Sequence, residues 1–498
     1  MTSIVVRADA SVEIGSGHLR RCLVLAERLR QRGAGVTFIC RRLPGHLGEL
    51  LAARDFPVVW LSPAAPWTPA ADAAATAAIL ESVPEKPAWL IVDHYRLDRD
   101  WERRLRPLAA RIMVIDDLAD RAHDCDLLLD QNYHGDEDEA QERYRGLVPA
   151  ACRLLLGPRY ALLDPRFAAR RAAAGEEADV TGKEKPRLLL FFGGTDPGNE
   201  TGRALEGIKP LLPALAVEVV VGAGNPHRQL VREMCAGLPG VRYHCQVEDM
   251  AALLAEVDLA VGAGGTSAWE RCCLGVPSIV ASIAANQVPL AVPLARDGYL
   301  LYLGEAAALV PADYRQAVAT LLRSPWWRAF MARRCRQLAD GRGVFRVVDR
   351  LLPPALTLRR ARAADEASLL AWRNAPENRR FSFSPAVITA QEHHEWFARC
   401  LAAADRELLI GEEDGRPVGV LRYDLAGEEA LVSIYLVPGC HGRGYGRALL
   451  AAGSFWLRRQ RPAVKRLRAE VLPANRAARQ LFDAAGFAAS HLVFRQEL

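Results

Sequence analysis

One arrangement recurs along the first 345 residues: a short apolar run, a loop of small residues, then a helical stretch. Strands that alternate with helices in this way return to the same sheet through their helices, which gives a parallel sheet covered on both faces. Over residues 1–165 the candidate strands are Ile4–Arg7, Val36–Cys40, Val58–Leu61, Trp89–Val92, Arg111–Ile115 and Asp126–Leu129. Residues 187–345 repeat the arrangement through RLLLFFGGTDPGN (Arg187–Asn199), LAVEVVVGAGNP (Leu215–Pro226), VRYHC (Val241–Cys245), VDLAVGAGGTSAWE (Val257–Glu270) and VPSIVASIAANQ (Val276–Gln287). The polar stretch 166–186 between them reads as a helix and then a linker. Ligands of open α/β sheets bind at the carboxyl ends of the strands. Two such sheets facing each other would therefore line one cleft with their Gly-, Thr-, Ser- and Asn-rich loops.

Pro353-Pro354 mark a change of texture. Residues 356–498 open with a strand (Leu356–Ala361) and a helix (ADEASLLAWRN). The strands LLIGEEDG, PVGVLRYDL and ALVSIYLVP follow, then a basic glycine loop and a helix. A strand (RLRAEVLP) and a last helix ending at Gly486-Phe487 complete the block. With 498 residues the chain is long enough for about three domains of roughly 150 residues. The expected architecture is α/β throughout, with domains at 1–165, 187–345 and 356–498.

Composition narrows the partners. The net charge is only +5 and arginines are interspersed with acids, so neither a nucleic-acid surface nor a basic membrane face is expected. The start MTSIVVRADA enters a strand without a signal-peptide pattern, and no uncharged apolar run is long enough to span a bilayer. Eleven scattered cysteines, odd in number and without a Cys-x-x-Cys, fit a reduced cytoplasm and no metal site. Cys272 and Cys273 read as core thiols. The neighbours His94-Tyr95 and His393-His394 lack metal-ligand spacing.

Two loops of the first blocks carry chemistry. EIGSGHLRRC (Glu13–Cys22) joins the first strand to a helix whose stripe is Leu19, Cys22, Leu23, Ala26 and Leu29. Gly15 and Gly17 permit close backbone approach, and His18 stands at the helix entrance, where unpaired N–H groups suit a phosphate. The dinucleotide fingerprint is absent, because Arg20 occupies the place of its third glycine. The alternative is a structural turn with a solvent-facing histidine. Gly264, Gly265, Thr266 and Ser267 repeat the architecture in the second block. Glu270 lies one turn into the following helix, where it could accept both hydroxyls of a ribose. Ser267 and Glu270 equally fit a capping box.

Taken with LIVDHY (Leu90–Tyr95), GPRYALLDPRF, FFGGTDPGN, GAGGTSAWE and IAANQ, these motifs resemble the two-domain nucleotide-sugar fold of the lipid-II-forming N-acetylglucosaminyltransferase. They resemble more closely the UDP-sugar hydrolases of pseudaminic acid biosynthesis, over about residues 1–345. The resemblance implies two Rossmann-like domains in a glycosyltransferase B-like arrangement. It implies cleavage of UDP from UDP-2,4-diacetamido-2,4,6-trideoxy-β-L-altropyranose at the anomeric C–O bond, by water and without metal. The family's catalytic histidine carries over to His18 and an active-site tyrosine to Tyr95. The Gly15–Gly17 turn, the Gly264–Ser267 loop, Glu270 and Asn286 carry over as substrate-binding. Neutral imidazole suits a general base near pH 7.

In the third block, YLVPGCHGRGYGR runs from Tyr435 to Arg447 as a strand, a basic glycine loop and a helix, a cradle for a pyrophosphate. It resembles the acetyl-CoA loop of the GCN5-related N-acetyltransferases. The resemblance implies acetyl-CoA held by Val437, His441, Gly442, Arg443, Gly444, Gly446 and Arg447, with Asn475 in LPANRAARQLFDAAGF. His441 stands where the family has Arg or Gln, and Ala478 replaces a serine. AWRNAPENRR (Ala371–Arg380) and His393 resemble the amino-sugar N-acetyltransferase of the same pathway, which implies Arg373 and His393 as substrate-holding residues and a UDP-linked 4-amino sugar as acceptor. The tyrosine usual as general acid is replaced by Phe482; Tyr445 or a water could substitute. Glu428 and Glu429 are candidates for a base, or plain residues of a solvated turn.

Three function classes follow: a bifunctional hydrolase and acetyltransferase, a glycosyltransferase with an appended acetyltransferase, or a binding chain with a degenerate acetyltransferase. The sequence leaves the sugar's stereochemistry and the oligomeric state open.

Overall fold

The computed structural model describes residues 2–61, 66–174, 185–352, 356–442 and 444–488. The Pro353-Pro354 boundary and Arg443 lie outside the described residues. The chain forms two compact units, Met1–Val348 and Asp349–Leu498.

The first unit holds two wholly parallel sheets. One contains β1 (Thr2–Ala8), β2 (Ala34–Arg41), β3 (Val58–Leu61), β4 (Trp89–Asp93), β5 (Ile112–Ile115), β6 (Leu127–Asp130) and β7 (Arg153–Leu156), in the order β3-β2-β1-β4-β5-β6-β7. The other contains β8 (Arg187–Phe191), β9 (Ala216–Val221), β10 (Val241–Cys245), β11 (Leu259–Ala263), β12 (Ser278–Ser282) and β13 (Leu301–Glu305), in the order β10-β9-β8-β11-β12-β13. Central strands read as unbroken apolar runs because both of their faces are covered. Every residue of β4 and of β11 is buried. In β8, Leu188 and Leu190 enter one core and Leu189 the other. Edge strands β7 (RLLL) and β13 (LYLGE) escape the sequence reading; each holds a short apolar run but is less buried than the central strands. Residues Pro165–Ala174 are helical, as the pattern predicts. Cys272 and Cys273 are buried in the helix Ser267–Leu274.

The second unit is a five-stranded mixed sheet: β14 (Thr357–Arg360), β15 (Arg406–Glu413), β16 (Arg416–Ala426), β17 (Glu429–Leu436) and β18 (Arg466–Ala469) in sequential order. All pairs are antiparallel except β17 with β18. Period-2 alternation divides the sheet's faces. Leu421, Tyr423, Val432 and Ile434 pack with Leu449 and Leu450 of the helix Tyr445–Gln460. Val420 and Tyr435 pack on the other face with Leu369, Trp372, Trp396 and Phe397.

Gly262, on β11, marks a close backbone approach in the first unit. A Cβ built there would stand 2.2 Å from the carbonyl oxygen of Phe191 on β8. Gly262→Ala should therefore force the strands apart and cost about 1–3 kcal/mol. A thermal melt checks this, and an unchanged midpoint would contradict the packing.

Candidate functional site

Strand order reverses once in each parallel sheet. The chain turns back beside β1 in the first and beside β8 in the second, so the crevices open between β1 and β4 and between β8 and β11. Such switch points are where open α/β sheets bind ligands. The glycine-rich sequence motifs fall on these strand ends.

The loop after β1 enters the helix Gly17–Gln31. Gly15 is at φ +83°, and its N–H donates to the carbonyl of Ser11 at 2.8 Å, a turn that a side chain would strain. His18 sits on the first helical turn and is buried. Its Nδ1 lies 2.5 Å from Oδ1 of Asp93, the last residue of β4. One turn on, Arg21 grips the same carboxylate with two hydrogen bonds of 2.7 Å and donates to Asp117 at 3.1 Å. Burial alone would raise the Asp93 carboxyl, but Arg21 and His18 hold it well below the usual carboxylate range. An ionised Asp93 accepts a hydrogen bond from the Nδ1–H of His18, which leaves Nε2 as the acceptor nitrogen of the neutral imidazole. Tyr95 packs edge-on against His18, with ring centroids 4.5 Å apart. Burial, reinforced by Asp117, pushes the Tyr95 phenol up and keeps it protonated.

The opposite wall comes from the second sheet. Gly264 and Gly265 follow β11, and the helix Ser267–Leu274 opens behind them. The capping box allowed by the spacing does not form. Thr266 is the cap residue without a side-chain bond, and Ser267 Oγ instead accepts from Arg271 Nη1 at 3.0 Å. Arg271 also donates to the Ala263 carbonyl at 2.9 Å and so braces the loop. Glu270 is thus free of a capping role. It has no side-chain hydrogen bond among the described residues, and burial pushes its carboxyl up to about 7, against the pull of Arg271 and Arg20. Asn286 lies exposed in the turn after β12. The loop after β8 is held by Asp196, which accepts from the N–H groups of Glu200 at 2.8 Å and Thr201 at 2.9 Å. The two walls are close. A Cβ on Gly17 would stand 3.8 Å from the Thr266 hydroxyl, and one on Gly194 would stand 3.4 Å from Ser16 Oγ. Ser16 and Gly17, the residues that lead into His18, therefore lie against the loops that follow β8 and β11.

In the second unit, β17 continues to Leu436 while its pairing with β18 stops at Val432 and Ala469. The last turn of β17 thus splays from its neighbour and offers an open backbone edge. Val437 donates to Val418 at 3.0 Å, and Gly439, Gly442 and Gly444 follow at φ +80°, +71° and +82°. His441 is exposed in this loop and Arg447 on the next helical turn. The loop ends at the N-terminus of the 16-residue helix Tyr445–Gln460. Gly446 lets that helix approach Leu481, to which a Cβ would come within 3.2 Å. This edge, loop and helix end suit the pantetheine and pyrophosphate of a coenzyme A thioester. Asn475 caps the helix Arg476–Ala484 by accepting from Ala478 N–H at 3.0 Å.

His393 is buried and stacks on Phe397, its Nδ1 without a partner. Arg373 donates to Ser382 and to the Ser384 carbonyl. Phe482 is buried against Phe487. The Tyr445 hydroxyl donates to Glu413, which engages it on β15. Glu428 and Glu429 lie at the hairpin end of β17, beside Arg466 and Arg468. A strand's length, roughly 20 Å, separates them from the splayed end, and they form the solvated turn.

Residues 355–488 match the acetyltransferase (GNAT) domain family. The second unit carries a GNAT acetyltransferase domain. For the first unit, a UDP-2,4-diacetamido-2,4,6-trideoxy-beta-L-altropyranose hydrolase of Campylobacter jejuni is 26% identical over 301 residues, 59% of this chain and 97% of its own. The spore coat polysaccharide biosynthesis protein SpsG of Bacillus subtilis is 31% identical over 208 residues, 41% of this chain. The match spans 60% of that relative's length. The solved MurG of Acinetobacter baumannii aligns with 70% of this chain and 99% of its own, at a TM-score of 0.50 and 17% identity. The first unit has a glycosyltransferase B-like fold. Among the described residues no helix is long and apolar enough to cross a membrane, and no group of three or more His, Cys, Asp or Glu is placed to hold a metal ion.

Sequence reasoning passed over Asp93, Arg21 and Asp117. The available signal was the acid that ends the apolar run WLIVD (Trp89–Asp93), within the quoted LIVDHY. Asp93→Asn would leave Arg21 buried with one carboxylate lost, at a cost of about 3–5 kcal/mol in denaturant unfolding. Because the folded-state carboxyl is depressed, its contribution is present above the unfolded value and lost as pH falls. The gap between wild type and variant should narrow below about pH 4, the unfolded carboxyl range. A gap that stays constant with pH would contradict the ion pair.

Proposed function

We propose that the first unit hydrolyses a UDP-linked diacetamido sugar and that the GNAT domain makes the sugar's second acetamido group from acetyl-CoA. The observation that carries the first half is the buried His18–Asp93 pair, facing a glycine loop and helix N-terminus across the cleft. UDP lies with its β-phosphate at the Gly264–Ser267 loop and its ribose at Glu270, beside Asn286. Water sits on the opposite face of the sugar, against His18 Nε2. As the water oxygen bonds to the anomeric carbon, Nε2 takes its proton. The C–O bond to UDP breaks, and its electron pair leaves on the β-phosphate. Loop N–H groups and the helix dipole stabilise that charge. Asp93, kept ionised by Arg21, stabilises the imidazolium and afterwards lets it discharge its proton to solvent. Tyr95 fixes the imidazole plane.

In the GNAT domain, acetyl-CoA supplies an acetyl thioester. The Val437–Gly446 loop holds its pyrophosphate, and the splayed edge of β17 orients its pantetheine arm. Arg373 and His393 help to position the acceptor, the 4-amino group of a UDP-linked sugar of the altropyranose series. On this reading the acetylated product is the substrate that the first unit cleaves. Both co-substrates belong to the cytoplasm.

His18→Asn should lower UDP release by about 10²–10⁴-fold while calorimetric UDP affinity stays within twofold of wild type. Release at the wild-type rate would remove His18 from the reaction. A second check uses Glu270, which ionises near pH 7. Only the carboxylate accepts both ribose hydroxyls with charge assistance. UDP affinity should therefore gain up to about tenfold between pH 6 and pH 8 in wild type, a component missing from Glu270→Gln. If the two proteins share one pH profile, Glu270 does not hold the ribose.

A further inference from the structure

The sheet face opposite the helix Tyr445–Gln460 carries three guanidinium groups that the acetyl-CoA chemistry does not use. Arg373 ends the helix Glu366–Asn374, Arg379 ends the short helix Pro376–Arg379, and Arg422 stands on β16. Strand alternation puts Arg422 on the face of Val420 and Tyr435, beneath the first two. Arg373 and Arg379 converge on one segment: Arg373 donates to Ser382 and the Ser384 carbonyl, Arg379 to the Pro385 carbonyl at 3.5 Å. Arg422 reaches Ser433 of β17 at 3.4 Å.

Each of the three has a buried N–H group with no acceptor: Nη1 of Arg373, Nε of Arg379 and Nε of Arg422. Counter-charge is scarce. Among the described residues neither Arg373 nor Arg379 has a carboxylate partner, and Arg422 shares Asp424, at 3.0 Å, with Arg406. Burial lowers the Arg373 guanidinium; Tyr435 opposes that, while Arg422 and Arg379 press in the same direction. Buried donors left without acceptors are costly, and three guanidiniums gathered with one shared acid repel one another. A ligand with several anionic oxygens removes both penalties. Arginine forks match phosphate oxygens in pairs. A cationic acceptor such as a polyamine would meet repulsion here.

We propose that Arg373, Arg379 and Arg422 form a diphosphate site of the GNAT domain, which holds the nucleoside diphosphate of the amino-sugar acceptor. The site rests on the acetyltransferase reading above and deepens it. It is separate from the coenzyme's own pyrophosphate cradle, because the loop that enters the helix Tyr445–Gln460 serves the opposite face of the sheet. The diphosphate anchors the acceptor, and the sugar's amine then extends along β17 toward the splayed end.

Hydrogen exchange read by mass spectrometry on the full chain tests the site segment by segment. UDP should slow exchange over residues 373–385 in wild type. Inorganic pyrophosphate should protect the same segment more weakly, and coenzyme A should protect 437–447 instead. Arg379→Gln and Arg422→Gln should each abolish UDP protection of 373–385 and leave coenzyme A protection of 437–447 intact, which shows that the domain is folded. In acetyl transfer, both variants should raise KM for the UDP-linked amino sugar about tenfold. KM for acetyl-CoA and turnover of the same amino sugar without its nucleotide should not change. No UDP protection of 373–385 in wild type overturns the proposal, as does an equal loss on the nucleotide-free sugar. Protection without transfer to any UDP-linked amino sugar would retain the diphosphate site and refute the acceptor reading instead.

Discussion

The first unit is organised around one buried carboxylate. Asp93 ends the central strand β4 and is shared by His18 Nδ1 and a two-pronged Arg21. Taking that acid out of water is affordable only because the arginine neutralises it and the strand end places it within reach of both partners. The pair fixes two things at once. It ties the first turn of the helix Gly17–Gln31 to β4, and it sets the tautomer of the imidazole that faces the cleft. Structure and the proposed chemistry are therefore hard to separate at this position: a change at Asp93 disturbs the helix Gly17–Gln31 as well as the imidazole.

The parallel sheets supply the rest of the geometry. Each reverses its strand order once, and each reversal opens a crevice at carboxyl ends of strands. One crevice presents His18 and the other a helix N-terminus; in the proposed reading a nucleotide sugar lying across them meets water on one side and N–H groups on the other. The GNAT domain solves a related problem with a different device, a parting of β17 from β18 rather than a gap between helices. In the proposed reading both units hold phosphate at a glycine loop that opens a helix, where small residues and unpaired N–H groups suit an anion.

Most of the architecture was legible in the sequence, since the central strands are buried on both faces and their apolar runs are unbroken. β7 and β13 were not: their apolar runs are only three residues long, Leu154–Leu156 and Leu301–Leu303, which periodicity alone does not assign to a strand. The loops bearing His18 and Glu270 were legible from their small residues. Their roles were less so. The spacing of Ser267 and Glu270 allowed a capping box, yet Arg271 engages the serine hydroxyl instead, a competition that spacing does not reveal. Asp93 was overlooked because its partners stand 75 and 72 residues away. In the GNAT domain the glycine pattern pointed to the loop, but Tyr445, a candidate proton donor, is engaged by Glu413 on the neighbouring strand. The three arginines of the opposite face come together only when β16 is placed under the helices that follow β14.

The central claim is that water, activated by His18, attacks carbon rather than phosphorus. Supplying the UDP-linked diacetamido sugar to the protein in H₂¹⁸O and analysing both products by mass spectrometry tests it directly. The account predicts one ¹⁸O in the released sugar and none in UDP. An ¹⁸O atom in the phosphate of the nucleotide product would place the attack on phosphorus and contradict the assignment of the cleft.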